Sequence, residues 1–135
     1  MYEVLVPIDG NESRALSQAE TVAGFPGADA SIRAILLHVF EENPSGASVH
    51  QIGAVRRAKS VLEERGVEVE LAETSGNPPE NIVRTADERD VDLLCLAGRK
   101  RTPTGKALFG SVTQDVLLSS DRPVVVCEAD ESAAE

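Results

Sequence analysis

Residues 2–23 read YEVLVPIDGNESRALSQAETVA, and the two halves of this stretch follow different periods. Residues 2–8 are a short apolar run with β-branched side chains, closed by Asp9-Gly10: a strand and then a turn. From Glu12 to Ala23 the apolar positions Ala15, Leu16, Ala19, Val22 and Ala23 fall on one helix face. Gly24, Pro26 and Gly27 then stop the helix. A buried strand that feeds an amphipathic helix is the repeating half of a βαβ unit, and the rest of the chain repeats it.

Residues 31–40 (SIRAILLHVF) are a second apolar strand, followed by a loop over 41–47. Residues 48–65 read as the longest helix, with Val49, Ile52, Val55, Ala58, Val61 and Leu62 inward and Gly66 just past its end. Residues 67–72 (VEVELA) alternate as a half-exposed strand does. Asn77-Pro78-Pro79-Glu80 spells a helix start: Asn caps, Pro takes the first helical position and Glu reaches back. That helix turns Ile82, Val83 and Ala86 inward and ends near Asp90. Residues 91–97 (VDLLCLA) are a strand, with Gly98 after it. Ser111 and Gln114 read as a capping box that opens the last helix, whose inner face is Val112, Val116 and Leu117. Residues 122–127 (RPVVVC) are the final strand, and 130–135 an acidic tail expected to fray.

Strands and helices that alternate in this way predict an α/β fold with a mostly parallel sheet and helices on both faces. Right-handed crossovers restrict the topology, and the expected arrangement is a doubly wound five-stranded sheet of order 3-2-1-4-5. Its winding reverses between the first and fourth strands, and ligands bind outside the carboxyl ends of strands at such a point. Here those ends are Pro7-Ile8-Asp9-Gly10 and Ala97-Gly98.

At 135 residues, with no linker or internal repeat, the chain is expected to be a single domain over 1–135. No apolar run approaches the ~18 residues of a membrane span. The N-terminus lacks a basic leader, so a cytoplasmic location is expected. Thirteen basic residues stand against 23 acidic ones, a net charge of −10 that argues against nucleic acid and anionic membrane as partners. Only Lys59, Lys100 and Lys106 are lysines. So acidic a surface suits a high-salt cytoplasm, where screening shrinks its self-repulsion, and a halophilic source is expected. Cys95 and Cys127 lie inside apolar runs without a partner at ligand spacing, and are expected to be buried, reduced and structural.

One segment reverses the charge. Residues 98–113 (GRKRTPTGKALFGSVT) hold Arg99, Lys100, Arg101 and Lys106 and no acid. A basic, glycine-containing loop that runs from a strand end into a helix N-terminus suits a phosphate, because free N–H groups and the helix dipole both favour an anion. Ser111 and Thr113 add hydroxyl donors. A surface loop that merely balances an acidic body is the alternative. Walker A fails, since Gly105-Lys106 is followed by Ala107, and the dinucleotide fingerprint G-x-G-x-x-G occurs nowhere. Asp9, at the switch point, suits a ribose hydroxyl or a nucleotide-bound magnesium ion, or else caps the turn. His38 reads as a satisfied strand histidine and His50 as exposed. Asn11-Glu12-Ser13 is better read as a helix cap than as a glycosylation site.

The segments VLVPIDGNESRAL, ILLHVF and AGRKRTPTGKALFGSVTQDVLLSSDRPVVV resemble the small, single-domain universal stress proteins, and the βα order agrees over nearly the whole length. The resemblance implies one branch that binds ATP and another that binds no nucleotide. The binding branch carries G-x2-G-x9-G-[ST]. Gly98 fits its first position, but the second glycine is replaced by Arg101, and eight residues (102–109) rather than nine precede Gly110-Ser111. By position, adenine and ribose contacts fall at Pro7, Asp9 and Val39, and phosphate contacts at Gly98, Gly110, Ser111, Val112 and Thr113. Lys100 and Arg101 are phosphate cations on charge alone. The resemblance also implies a homodimer through residues 122–127, an apolar strand at a sheet edge, where an uncovered ladder invites pairing. The leading expectation is a homodimeric, ATP-binding stress-response module. The alternatives are a nucleotide-free dimeric interaction protein and, behind both, a slow ATPase.

Overall fold

The computed structural model describes residues 1–98 and 109–128. The basic loop with Lys100 and Arg101, and the tail 130–135, lie outside the described residues. β1 (Tyr2–Pro7) runs up the middle of the sheet, and Val4, Leu5 and Val6 are fully buried because both of its faces are covered. α1 (Glu12–Ala23) follows, then a single turn, α2 (Ala28–Ser31), which leads into β2 (Ile32–Phe40). After α3 (Gly53–Glu64) come β3 (Glu68–Ser75), α4 (Pro78–Arg89), β4 (Leu93–Gly98), α5 (Ser111–Ser119) and β5 (Val124–Glu128). The sheet has the order β3-β2-β1-β4-β5 with every pair parallel, as expected from the sequence.

Alternation along the strands divides the core into two layers. Val4, Val6 and Leu36 face α1 and α3, where Ala15, Ala19, Val22, Val55, Ala58 and Leu62 meet them. Leu5, Ile35, Leu37 and Leu94 face α4 and α5 through Ile82, Ala86 and Val116. Small residues on α1 let it lie close to the sheet. Across the outer half, Arg33 bonds to Glu3 at 2.8 Å and also to Glu68, tying three strands in register.

Several local expectations are corrected. Residues 48–65 are not one helix: a 3-10 turn at Val49–Gln51 precedes α3, and Ile52 between them is extended. Residue 31 closes a helical turn rather than opening a strand. β3 runs on to Ser75, and β5 begins at Val124 rather than 122. Asn77 does cap α4 by accepting from the Glu80 N–H at 3.1 Å, but no bond returns from the Glu80 carboxylate to the Asn77 N–H, and the Asn77 carbonyl accepts from the Asn81 side chain. Ser111 is not a cap: Gly110 holds the N-cap position, with no side-chain cap bond. Of the predicted inner face of α5 only Val116 is buried, while Val112 and Leu117 are exposed.

Candidate functional site

A cavity of about 400 Å³ opens over the carboxyl ends of β1, β2 and β4, at the point where the winding reverses. Its floor and walls come from four places. The β1 end supplies Pro7, Ile8 and Asp9; the β2 end supplies Leu37, His38, Val39 and Phe40. α4 contributes Pro78 and Ile82, and the start of α5 contributes Gly110, Ser111, Val112 and Thr113. The Ile8 N–H donates to the Leu37 carbonyl at 2.8 Å, so the β1–β2 ladder continues to the cavity rim.

Asp9 stands at the cavity and also holds the turn before α1. It lines the cavity, and its Oδ1 accepts from the Asn11 N–H at 2.8 Å while Oδ2 pairs with Arg14 Nε at 3.0 Å. The adjacent Asn11 caps α1 by accepting from the Arg14 N–H at 2.9 Å, the local role read for it. His38 Nδ1 donates to the Ile8 carbonyl at 2.7 Å and its ring meets Phe40 edge-on at 4.6 Å, which makes it a satisfied strand histidine that also faces the cavity. Thr113 is buried, and its hydroxyl donates to the Ala97 carbonyl at 3.0 Å, fixing the first turn of α5 to the end of β4.

At α5 the chain provides backbone chemistry. Its first-turn N–H groups meet no capping side chain among the described residues, and they lie where the helix dipole is positive. Around the rim Asp9, Glu41 and Glu42 set an acidic side against Arg14. Among the described residues no cluster of three or more metal-ligating side chains occurs.

Of the residues singled out from sequence, Pro7, Asp9, Val39, Gly110, Ser111, Val112 and Thr113 come together around this one cavity. Gly98 is not among its lining residues. A side chain at 98 would meet Val126 at 3.2 Å and Phe109 at 3.5 Å, so glycine there serves the contact between β4 and β5. Lys100 and Arg101 fall outside the described residues. Sequence reasoning missed Arg14 and Gln18, which also line the cavity. The available signal was the spacing 15-18-19-22 on α1, which puts a glutamine in the middle of an alanine-rich inner face.

A doubly wound parallel sheet with an open crevice at its switch point, bordered by a helix N-terminus, defines an α/β domain of the kind that places its ligand sites at that crevice. The particular family is settled by comparison. A family model described as Universal stress protein family matches residues 1–128, and the chain belongs to that family. A universal stress protein of Mycolicibacterium smegmatis is 35% identical over 74 residues, which cover 54% of this chain and 57% of that protein. The chain thus spans about half the length of that curated relative. Among solved structures, a universal stress protein from Archaeoglobus fulgidus superposes with a TM-score of 0.75 at 28% identity, covering 94% of this chain and 98% of that one. Another structure from Archaeoglobus fulgidus, a universal stress protein in complex with dAMP, has a TM-score of 0.71 at 23% identity, covering 94% and 98%, and bears on the fold. No described helix is long and apolar enough to cross a membrane.

Proposed function

We propose that this chain binds an adenine nucleotide, ATP with magnesium, in the cavity over β1, β2 and β4, and acts as a homodimeric regulatory module of a stress response. The observation that carries the reading is the meeting, in one cavity of about 400 Å³, of an apolar strand-end slot with a helix N-terminus that has no side-chain cap among the described residues. That volume lies within the range of small-molecule pockets, roughly 300–1,000 Å³. An adenine ring suits the slot of Leu37, Val39 and Phe40, read by the Val39 backbone. A ribose suits the Asp9 corner, and phosphates suit the N–H groups and hydroxyls of Gly110, Ser111, Val112 and Thr113. Lys100 and Arg101 would add charge to the phosphate end, and magnesium would come with the nucleotide near Asp9. The solved relative in complex with dAMP supports an adenine nucleotide as the ligand class.

Both oxygens of Asp9 are already hydrogen-bonded, which favours a binding role over that of a base for hydrolysis. For the dimer, the support is the edge position of β5 in the sheet, with Phe109, Leu117 and Leu118 as further exposed apolar side chains.

A second reading is favoured by the loop sequence. Arg101 in place of a glycine, and a spacing one residue short, fit a nucleotide-free interaction protein of the same family. One experiment separates the two. The protein is purified in high salt and denatured, and the supernatant is chromatographed for nucleotides; ATP is then titrated calorimetrically with and without magnesium. Co-purified adenine nucleotide or a saturable heat supports the first reading. Neither signal, with Arg101→Gly gaining affinity, replaces it with the second.

A further inference from the structure

The hydrogen-bonded ladder at the centre of the sheet breaks where the cavity begins. β1 and β4 are in register only at Val4–Leu93 and Leu5–Leu94. Past them the ladder breaks because Pro7 has no N–H to donate across to the Cys95 carbonyl, which is left without its strand partner. Buried carbonyls left unpaired cost free energy, so something must meet them. Gln18 does. Its side-chain nitrogen donates to Pro7 at 2.7 Å and to Cys95 at 3.0 Å, and the residue is 2% exposed. Both neighbours are carbonyl oxygens, so the orientation of the amide is fixed by chemistry: the nitrogen faces the strands.

Two further observations tie this wedge to the cavity. Gln18 lines it, between the Asp9 corner and the start of α5. With both amide protons committed, what it has left to offer the cavity is its carbonyl oxygen. Ala15, Ala19 and Val22 around Gln18 are fully buried and hold the helix, so the amide cannot move without moving α1.

We propose that Gln18 is a positioning residue of the nucleotide cavity: by bridging the Pro7 and Cys95 carbonyls it fixes the separation of β1 and β4 at the cavity floor, and with it the geometry the ligand meets. This rests on the nucleotide-binding reading above. An apolar residue at this position would pack as well against α1's neighbours but leave two carbonyls unpaired, and the strands would close or admit water. A carboxylate would place acceptor against acceptor.

The test uses the full chain in high-salt buffer. Gln18→Met keeps length and bulk without the donor; Gln18→Glu keeps shape and replaces the donor with an acceptor. Both are expected to retain the circular dichroism of the parent and to bind ATP about tenfold more weakly or worse by calorimetry, Glu more affected than Met. In the ¹⁵N-labelled parent, the Gln18 side-chain amide resonances shift as ATP is added. A folded Met variant with the parent's Kd overturns the proposal, as does a Gln18 amide signal that stays still while the site fills. Should the variants not fold, the titration of the parent decides alone. A parent that binds no adenine nucleotide overturns the underlying reading and this proposal together; binding by the parent with unaffected variants overturns this proposal alone.

Discussion

The Thr113 hydroxyl donates to the Ala97 carbonyl at 3.0 Å, and this bond joins the first turn of α5 to the last turn of chain before the β4 end. It is made by a buried side chain, so its loss leaves the Ala97 oxygen poorly paired. Thr113→Val keeps the shape and removes the donor. The expected cost is about 1 kcal/mol, or a lower melting temperature by roughly 3–5 °C. Because the same turn faces the cavity, ATP affinity should fall as well. An unchanged melting curve in calorimetry would show that the bond contributes nothing.

β5 lies at the sheet edge, and the ladder says which of its groups point outward. The Leu94 N–H donates to the Pro123 carbonyl, while Leu94 is in register with Val124. In a parallel pair this turns the backbone groups of residues 123, 125 and 127 toward β4 and those of 124 and 126 toward solvent. Proline is tolerated on an edge strand where the lost N–H faces out. Val126→Pro should therefore leave the protomer folded and abolish pairing through this edge. Sedimentation velocity is expected to give a dimer for the parent and a monomer for the variant. A variant that stays dimeric places the interface elsewhere.

The global fold was legible because each strand ends in a turn and each helix shows one apolar face; nothing more than period and punctuation was needed to order β1 to β5. What was misread depended on neighbours. Ile52 carries the right spacing for a continuous helix over 48–65, yet the chain there is extended before Gly53, whose Cα lies against Glu12 so closely that a Cβ would sit 3.3 Å from its carboxylate. Val112 and Leu117 look like core residues, but α5 covers only a corner of the sheet and leaves them exposed. Seven of the ten proposed binding residues meet at one cavity; these seven were placed by the resemblance to the universal stress proteins, while the switch-point rule by itself locates strand ends, not side chains. Gln18 was invisible for the opposite reason: a glutamine reads as surface until the break in the β1–β4 ladder at Pro7 gives its amide two carbonyls to hold.

Cys95 is fully buried on β4, and its thiol donates weakly to the Gln18 carbonyl. The neighbouring Cys127 thiol, and then burial, raise its ionisation above that of an ordinary thiol, while Cys127 itself is shifted down. The unfolded chain ionises this group near pH 8.5, and folding shifts that ionisation upward. Its contribution to stability is thus fully present below about pH 8.5 and is lost as pH rises beyond it. Denaturant unfolding from pH 8.5 to 10.5 should show a decline, of which up to about 1.4 kcal/mol per pH unit belongs to Cys95. In Cys95→Ala that share of the slope disappears, although the variant is less stable overall. Identical slopes would mean that the folded thiol ionises as readily as the unfolded one.

The chain's net charge of −10 sets two salt effects against each other. The ion pairs Arg14–Asp9, at 3.0 Å, and Arg122–Asp90, at 3.0 Å, are weakened by added electrolyte. Asp9 and Asp90 are largely exposed, and exposed pairs are each worth at most about 1 kcal/mol. Repulsion among the unbalanced carboxylates acts over the whole surface and is screened as the Debye length falls from about 10 Å at 0.1 M to about 3 Å at 1 M salt. The repulsive sum should win. The melting temperature is expected to climb steadily from 0.05 to 2 M KCl, and a variant in which Glu41 and Glu42 become Gln should start higher and climb less. A flat or falling curve over that range would mean that the local ion pairs outweigh the surface field, and the expectation of a high-salt habitat would lose its physical basis.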